Sequence, residues 1–542
     1  MSSSAEKANN GAHAPSKPDD RYGRNSTRLD DGTNFSKPDE HVNNGAAHDD
    51  GSSSSDARST LKSIYTWLCT LLLLINYFLA QYDKFILSYF QTPLSESLGL
   101  SASQYAVLSG YATGIVYALT AIPLSYLADT FTASRVWVLS IAASWWSLCV
   151  IFQSLSNNFW QLLLARIGMG IGQSCVEPVS ISLISDLSGG WRNVFIGESV
   201  LYVGVYIGEA ISGQIATAFT ANDEGWRVAL RAIGITGVVV AVLVRVLVRD
   251  RKRLPGIVVD DKIFEDRMAA SGHLVVAKTR LAVTIAYLVR MRSFWLLVLS
   301  AGIRQLAGNV FGYYMPSYLS NTFPDKPELL SRYGIIVGVV GTVAVLSGGA
   351  VTSFHWPRTK MTPLFITGIG GMVSSLFVLL MLFSRDIASG NQTRGIHILY
   401  GVMSAAYLTA ELWLGAMNGL IASILPPKHK TFGLAIWSTI QVLIYSSGPG
   451  IVGLALQRLD PGSAKYTKDS QIVLAVIIPV CYWLAGIGFL LAVPLLKTDV
   501  RAGVDVERRL SGRRKSWLIV AVAVVLSLVV ALFIASIYYA AT

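Results

Sequence analysis

Residues 76–90 read "NYFLAQYDKFILSYF". Apart from Asp83 and Lys84, every residue in the stretch suits a helix in lipid or its rim. A charge at that depth costs several kcal/mol or more unless something offsets it. Outward from this stretch the apolar run extends over 64–88. That is about the 20 residues needed to cross a hydrocarbon core of roughly 30 Å.

Similar runs follow at 103–127, 136–155, 161–185, 194–219, 228–248, 293–320, 334–354, 362–383, 396–425, 432–456 and 471–496. The chain is 52% hydrophobic and 14% charged over 542 residues, which excludes a soluble globular class. The expectation is an all-α membrane protein with twelve spans in two six-helix halves, 61–248 and 293–497. A further charge-free run, 516–540, predicts a thirteenth span. Residues 1–60 are rich in Ser, Asn, Gly and Asp and cannot bury a core, so they read as a disordered cytoplasmic tail without a cleavable signal peptide. Between the halves lies a polar cytoplasmic linker, 249–292. Its segment 274–292 predicts either an amphipathic helix on the membrane face or a solvated linker helix. A basic cytoplasmic segment, 498–515, precedes the last run.

The net charge of +11 sits in loops, so membrane orientation explains it and nucleic-acid binding is not expected. "RVLVRDRKR" (245–253), "RTK" (358–360), "KHK" (428–430) and "RRLSGRRK" (508–515) all follow even-numbered spans. The rule that cytoplasmic loops are basic then puts the N-terminus in the cytoplasm. Asn391, in "NQT", falls on the opposite side, where it is open to glycosylation. The four cysteines lie in apolar spans without metal-ligand spacing, and no phosphate-binding loop or enzyme signature appears. Neither cofactor nor metal is expected.

The intramembrane charges carry the function. Asp83 stands roughly 28 Å along its span, in the outer part of the helix. Arg166 enters the fourth span from the same side, so the two share a depth. They would form a proton switch or a static buried bridge, unless Asp83 snorkels to the outer surface. Lys84 is expected at the rim. Gln173 and Glu177 lie seven and eleven residues beyond Arg166, on one helix face if the helix is continuous. Glu177 is then a coupling carboxylate or a neighbour's hydrogen-bond partner. Glu209, Arg304 and Glu411 are placed at mid-membrane, and with Gln173 and Asn418 they are expected to line a cavity for an anionic or zwitterionic group; otherwise Arg304 and Glu411 simply neutralise each other. Asp129 ends the second span and is expected at an inter-helix gate. Glycines at 168, 170, 172, 204, 208 and 213 are read as packing positions. Trp145, Trp146, Tyr313, Tyr314 and Trp413 are weaker candidates for the cavity wall.

The loop "PLSYLADTFTASR" (123–135) resembles the signature of the major facilitator superfamily, Gly-x-Leu-Ala-Asp-Arg-x-Gly-Arg-Arg. Asp129 matches; Ser125, Thr130 and Thr132 replace Gly, Arg and Gly, and Arg135 remains of the basic cluster. Within that superfamily, "INY" and "YDKF" of span one are similar to the Asn-Tyr-Met-Asp-Arg-Phe of the Spinster branch. The run from Arg166 to Asp186, "WRVALRAIG" (226–234) and "ELWLGAMNGLIASILPPKHKTFGLA" (411–435) resemble further Spinster segments. Gln173 stands where the branch has Glu, and "GGAVTSFHW" (348–356) lacks the second loop aspartate.

The resemblance implies a 12-helix major facilitator fold and alternating access. It also implies proton coupling through Asp83, Arg166 and Glu177, a gate at Asp129 and Arg135, and a small-molecule or lysolipid substrate beside membrane lipids. The membrane would be the plasma or endolysosomal one. A sugar or organic-acid transporter, and a non-transporting receptor on the same scaffold, remain open alternatives.

Overall fold

The computed structural model describes residues 50–90, 94, 97–100, 104, 107–108, 112–130, 134–188, 190–219, 224–250, 281–323, 326, 328–425, 430–456 and 464–502, with isolated positions 516, 520, 527 and 531. Contacts divide the chain into Met1–Arg58 and Ser59–Thr542, and the bundle lies in the second unit. The expected tail up to 49, most of the linker, the basic segment from 503 and nearly all of the thirteenth span lie outside the described residues.

Among the described residues every regular element is a helix. The first half comprises α1 (Asp50–Tyr89), α2 (Ala112–Thr130), α3 (Arg135–Ser154), α4 (Phe159–Gln173), α5 (Val176–Leu187), α6 (Trp191–Phe219) and α7 (Gly225–Leu247). A linker helix, α8 (Leu281–Arg290), leads to the second half. That half contains α9 (Arg292–Thr322), α10 (Glu328–His355), α11 (Thr362–Leu382), α12 (Ser384–Ile387), α13 (Gln392–Ala410), α14 (Trp413–Ile424), α15 (Lys430–Tyr445), α16 (Ser447–Leu456) and α17 (Ala464–Ala502). Ten membrane-length apolar spans are present among the described residues. The second and eleventh expected spans, α2 and α15–α16, fall outside that set and pack on each other between the halves. A span sheltered by protein tolerates more small and polar residues than one facing lipid. The other main seam between the halves is α6 on α10.

Three spans are broken in mid-course. Pro178 has no N–H to return to the Ser174 carbonyl, and α4 gives way to α5 at Ser174–Cys175. Pro449 likewise frees the Tyr445 carbonyl between α15 and α16, and Asn309 Nδ2 donates to it at 3.2 Å. The third break, at Glu411–Leu412 between α13 and α14, has no proline; Arg304 Nη2 donates to the carbonyl of Ala410. Irregular backbone at membrane depth persists only where protein or a wet cavity satisfies it. Glu177, Glu411 and Tyr445, at or beside the three breaks, line one cavity.

Close helix approach depends on glycine. A Cβ at Gly172 would stand 2.7 Å from the Ala142 carbonyl, and one at Gly208 3.0 Å from the Tyr82 nitrogen. Asn158 and Asn391 cap α4 and α13, accepting from the backbone N–H of Gln161 and Arg394 at 3.0 and 3.1 Å.

The described part of the linker, α8, buries Ala286, Tyr287 and Leu288 against the protein. Tyr287 donates to the Ile424 carbonyl at 2.9 Å. Burial, with the Asp499 carboxylate nearby, pushes its hydroxyl pKa above the ordinary value, so it stays a donor. This side of the amphipathic helix therefore rests on the bundle rather than in lipid.

Candidate functional site

A cavity of about 180 Å³ lies between the halves. It has room for on the order of ten waters. Charged side chains from both halves line it: Lys84, Glu177 and Glu209 from the first, Arg304 and Glu411 from the second. Aromatic and amide groups fill the rest of the wall, among them Tyr77, Tyr202, Tyr206, Tyr313, Tyr407, Tyr445, Tyr482, Trp413, Gln81, Gln305, Asn309 and Gln441. Tyr202 donates to Glu177 Oε1 at 2.6 Å, and Tyr206 to Glu411 Oε2 at 2.7 Å. The Arg304 guanidinium lies over Trp413 and Tyr482, 4.8 and 5.0 Å from their ring centres. Lys84 Nζ stands 5.2 Å from the Tyr445 ring and within electrostatic range of Glu177 and Glu209.

Several expectations need correction. Lys84 is a cavity residue, not a rim charge. It follows Asp83 by one residue, which turns it about 100° around the helix, so the two charges face different surroundings. The break at Ser174–Cys175 interrupts the face that was to hold Arg166, Gln173 and Glu177 together. Glu177 begins a new helix and joins Lys84 and Tyr202 in the cavity instead. Gln173 and Asn418 do not line the cavity. Gln173 lies beside Asp83. Asn418 accepts from Trp437 Nε1 at 2.9 Å and donates to the Leu414 carbonyl at 3.0 Å, a buried tie between α14 and α15. Of the aromatic candidates, Tyr313 and Trp413 line the cavity, whereas Trp146 is buried in the first half's core and Trp145 is half exposed on the outer surface. Arg304 and Glu411 share the cavity wall, but no closed ion pair joins them among the described residues: Arg304 Nη2 donates to the Ala410 carbonyl and the guanidinium lies over two rings, while its Nε and Nη1 have no hydrogen-bond partner.

Asp83 is 0% exposed and Arg166 3%. They lie within electrostatic range of each other, and the Gln173 amide is close to the Asp83 carboxylate, yet no hydrogen bond of good geometry closes on either Asp83 oxygen, on Arg166 Nε or on Gln173 Nε2. The expected Asp83–Arg166 association is thus a shared buried pocket rather than a closed ion pair. This pocket lies outside the wall of the central cavity.

At one end of the bundle the two halves are tied together. Asp129 Oδ2 accepts from the backbone N–H of Phe432 at 2.8 Å, a carboxylate at the N-terminus of α15. Arg135 binds other carboxylates. Its Nη1 donates to Asp186 Oδ2 at 2.7 Å and Ser182 Oγ at 2.8 Å, and its Nη2 to Asp250 Oδ1 at 2.6 Å. Lys430 crosses from the second half, donating to Ser185 Oγ at 2.8 Å and Asp186 Oδ1 at 3.3 Å. Thr431 donates to Ser182 Oγ at 2.8 Å. Asp186 therefore connects the Arg135 cluster to the opposite half. At the other end Gln214 and Ser331 exchange hydrogen bonds at 3.0 Å. Lys430 and Asp186 carried no role in the sequence reading; the basic "KHK" turn was the signal for the first.

The sequence profile of the Major Facilitator Superfamily matches residues 73–412. An "MFS-type efflux pump" of Mycolicibacterium smegmatis is 24% identical over 416 residues, 74% of this chain and 89% of its own. A "Sphingosine-1-phosphate transporter" of Danio rerio is 23% identical over 394 residues, 69% of this chain and 74% of its own. Among solved structures, a bacterial homolog of the human lysosomal transporter Spinster, inward-facing and unoccupied, superposes with a TM-score of 0.56 at 18% identity, over 83% of this chain and 99% of its own. The helical bundle and these matches make the chain a transporter of the Major Facilitator Superfamily, with its likeness running to the Spinster branch.

Proposed function

We propose that the protein is a secondary active transporter, working by alternating access with proton coupling, for an amphipathic lipid-like or organic-anion substrate. One observation carries this reading. A charged, aromatic-lined cavity lies between two halves that are tied at one end by the Asp129–Phe432 and Lys430–Asp186 contacts. Breaking those contacts would open the cavity to that side, which we assign to the cytoplasm from the basic loops beside it. The lipid-like cargo is carried over from the named relatives, and the aromatic wall supports it. Asp83 supplies the coupling site. It is a fully buried carboxylate with no closed hydrogen bond, beside a buried arginine and the Gln173 amide. A proton there removes a charge that burial penalises and releases Arg166. A smaller hydroxylated solute is the second reading, favoured by the amides of Gln81, Gln305, Asn309 and Gln441 in the wall.

Flux into proteoliposomes tests both readings. Labelled lysophospholipid, sphingosine phosphate, a sugar acid and a small organic anion are offered with and without an inward proton gradient, for wild type and Asp83→Asn. Gradient-driven lipid flux lost in Asp83→Asn is the expected result. Flux of a small solute alone would replace the lipid reading. Saturable binding with no flux of any of them would make the protein a receptor.

A further inference from the structure

Glu209 sits on α6 in the first half and Glu411 at the α13–α14 break in the second. Both line the cavity, and they lie within electrostatic range of each other. Two carboxylates within electrostatic range in a cavity walled by protein repel more strongly than they would in open water. The cavity's cations do not balance them. Lys84 is shared between Glu177 and Glu209. Arg304 shares the wall with Glu411 and is the only other cation in it among the described residues. With every group ionised, one carboxylate is in excess. Tyr206 and Tyr202 donate to Glu411 and Glu177 but bring no charge.

A second observation at the same place is independent of the acids. Arg304 is 3% exposed, it lines the cavity, and its Nε and Nη1 have no hydrogen-bond partner. Buried guanidinium donors left unmet beside a cavity are a receptor for an anionic group. The break at Ala410, which holds Nη2, fixes the guanidinium plane next to Glu411.

We propose that Glu209 and Glu411, one carboxylate from each half, form a cation centre that takes an ammonium group of the cargo while Arg304 takes the anionic group beside it. This rests on the reading of the cavity as the cargo site and adds the chemistry that fills it. An ammonium fits better than a divalent metal ion. Calcium or magnesium takes six or more oxygen ligands, and among the described residues no group of three metal-ligating side chains is present. The centre also has a mechanical consequence. Empty, the two carboxylates push the halves apart. Occupied, the ammonium bridges them and favours closure around the cargo.

Four phosphates separate the claims in one binding experiment on the purified full chain. Sphingosine phosphate and lysophosphatidic acid each carry one long tail and a phosphate, and only the first has an ammonium. Phosphoethanolamine and glycerol 3-phosphate make the same comparison without a tail. The expected result is that the ammonium-bearing member of a pair binds at least tenfold more tightly. Glu209→Gln and Glu411→Gln should each reduce that preference to about twofold, while Glu209→Asp keeps most of it and Gln variants still elute as monodisperse protein. Equal binding within both pairs would overturn the cation centre and leave the transporter reading intact. So would a preference that survives in both Gln variants, because the ammonium would then sit elsewhere. Dependence on the tail bears only on the lipid reading. If none of the four binds wild type, the centre as proposed is wrong; flux of another solute in proteoliposomes would still uphold transport.

Discussion

Lys430→Ala is the sharpest perturbation of the tie between the halves. Lys430 is 6% exposed and crosses the seam to Ser185 and Asp186. Removing one partner of a buried pair costs about 3–5 kcal/mol when the other charge is stranded. Asp186 is not stranded here, because Arg135 Nη1 still donates to it at 2.7 Å. The loss is then that of one charge-assisted contact, about 1.5–3 kcal/mol. This interaction exists only while the halves are together at this end, so its loss falls on the closed state alone. If the closed form is populated about 99:1 in wild type, a loss of about 2 kcal/mol brings the open form to roughly a quarter of the molecules. The assay is a distance distribution between spin labels at Arg249→Cys and Arg358→Cys, two exposed positions on opposite halves at this end. The labels go into a background lacking Cys69, Cys149, Cys175 and Cys481. A second, longer distance should grow in with Lys430→Ala. An unchanged distribution in folded protein would refute the reasoning, and the contact would then have no bearing on the equilibrium between closed and open forms.

Two further substitutions separate packing from binding. Asn418→Ala leaves the buried Trp437 indole N–H without its acceptor. It should lower thermal stability by about 1–3 kcal/mol while leaving cargo affinity within twofold, as measured by unfolding and equilibrium binding on one preparation; a tenfold affinity loss at normal stability would return Asn418 to the cavity. Gly349→Ala places a Cβ 2.8 Å from the Phe195 carbonyl on the α6–α10 seam. Overpacking of this kind costs about 1–3 kcal/mol, and a lower unfolding temperature should show it; unaltered stability would mean that the seam is looser than its spacing implies.

Much of the fold was legible because lipid makes its demands residue by residue. A span must be apolar over a bilayer's thickness, and "NYFLAQYDKFILSYF" and its counterparts satisfy that in any context. The candidate site was legible only in its inventory. Charges at membrane depth stand out in a sequence, so Asp83, Arg166, Glu177, Glu209, Arg304 and Glu411 could be picked out one by one. Their grouping could not. A helical wheel assumes an unbroken helix, and the break at Ser174–Cys175 moved Glu177 away from Arg166 and into the cavity. Asn418 was drawn to the cavity by its polarity, but a neighbouring indole claimed it. Lys84 was sent to the rim by its place in the chain, though one step around α1 turns it inward.

Membrane insertion, the helical class and the list of buried charges therefore follow from the amino-acid order, because each is a cost that a residue incurs against lipid on its own. Which charges share a pocket, and which residues tie the halves together, follow only from the packed bundle. Helices far apart in the chain, such as those carrying Asp186 and Lys430 or Glu209 and Glu411, meet there through contacts that no local pattern encodes.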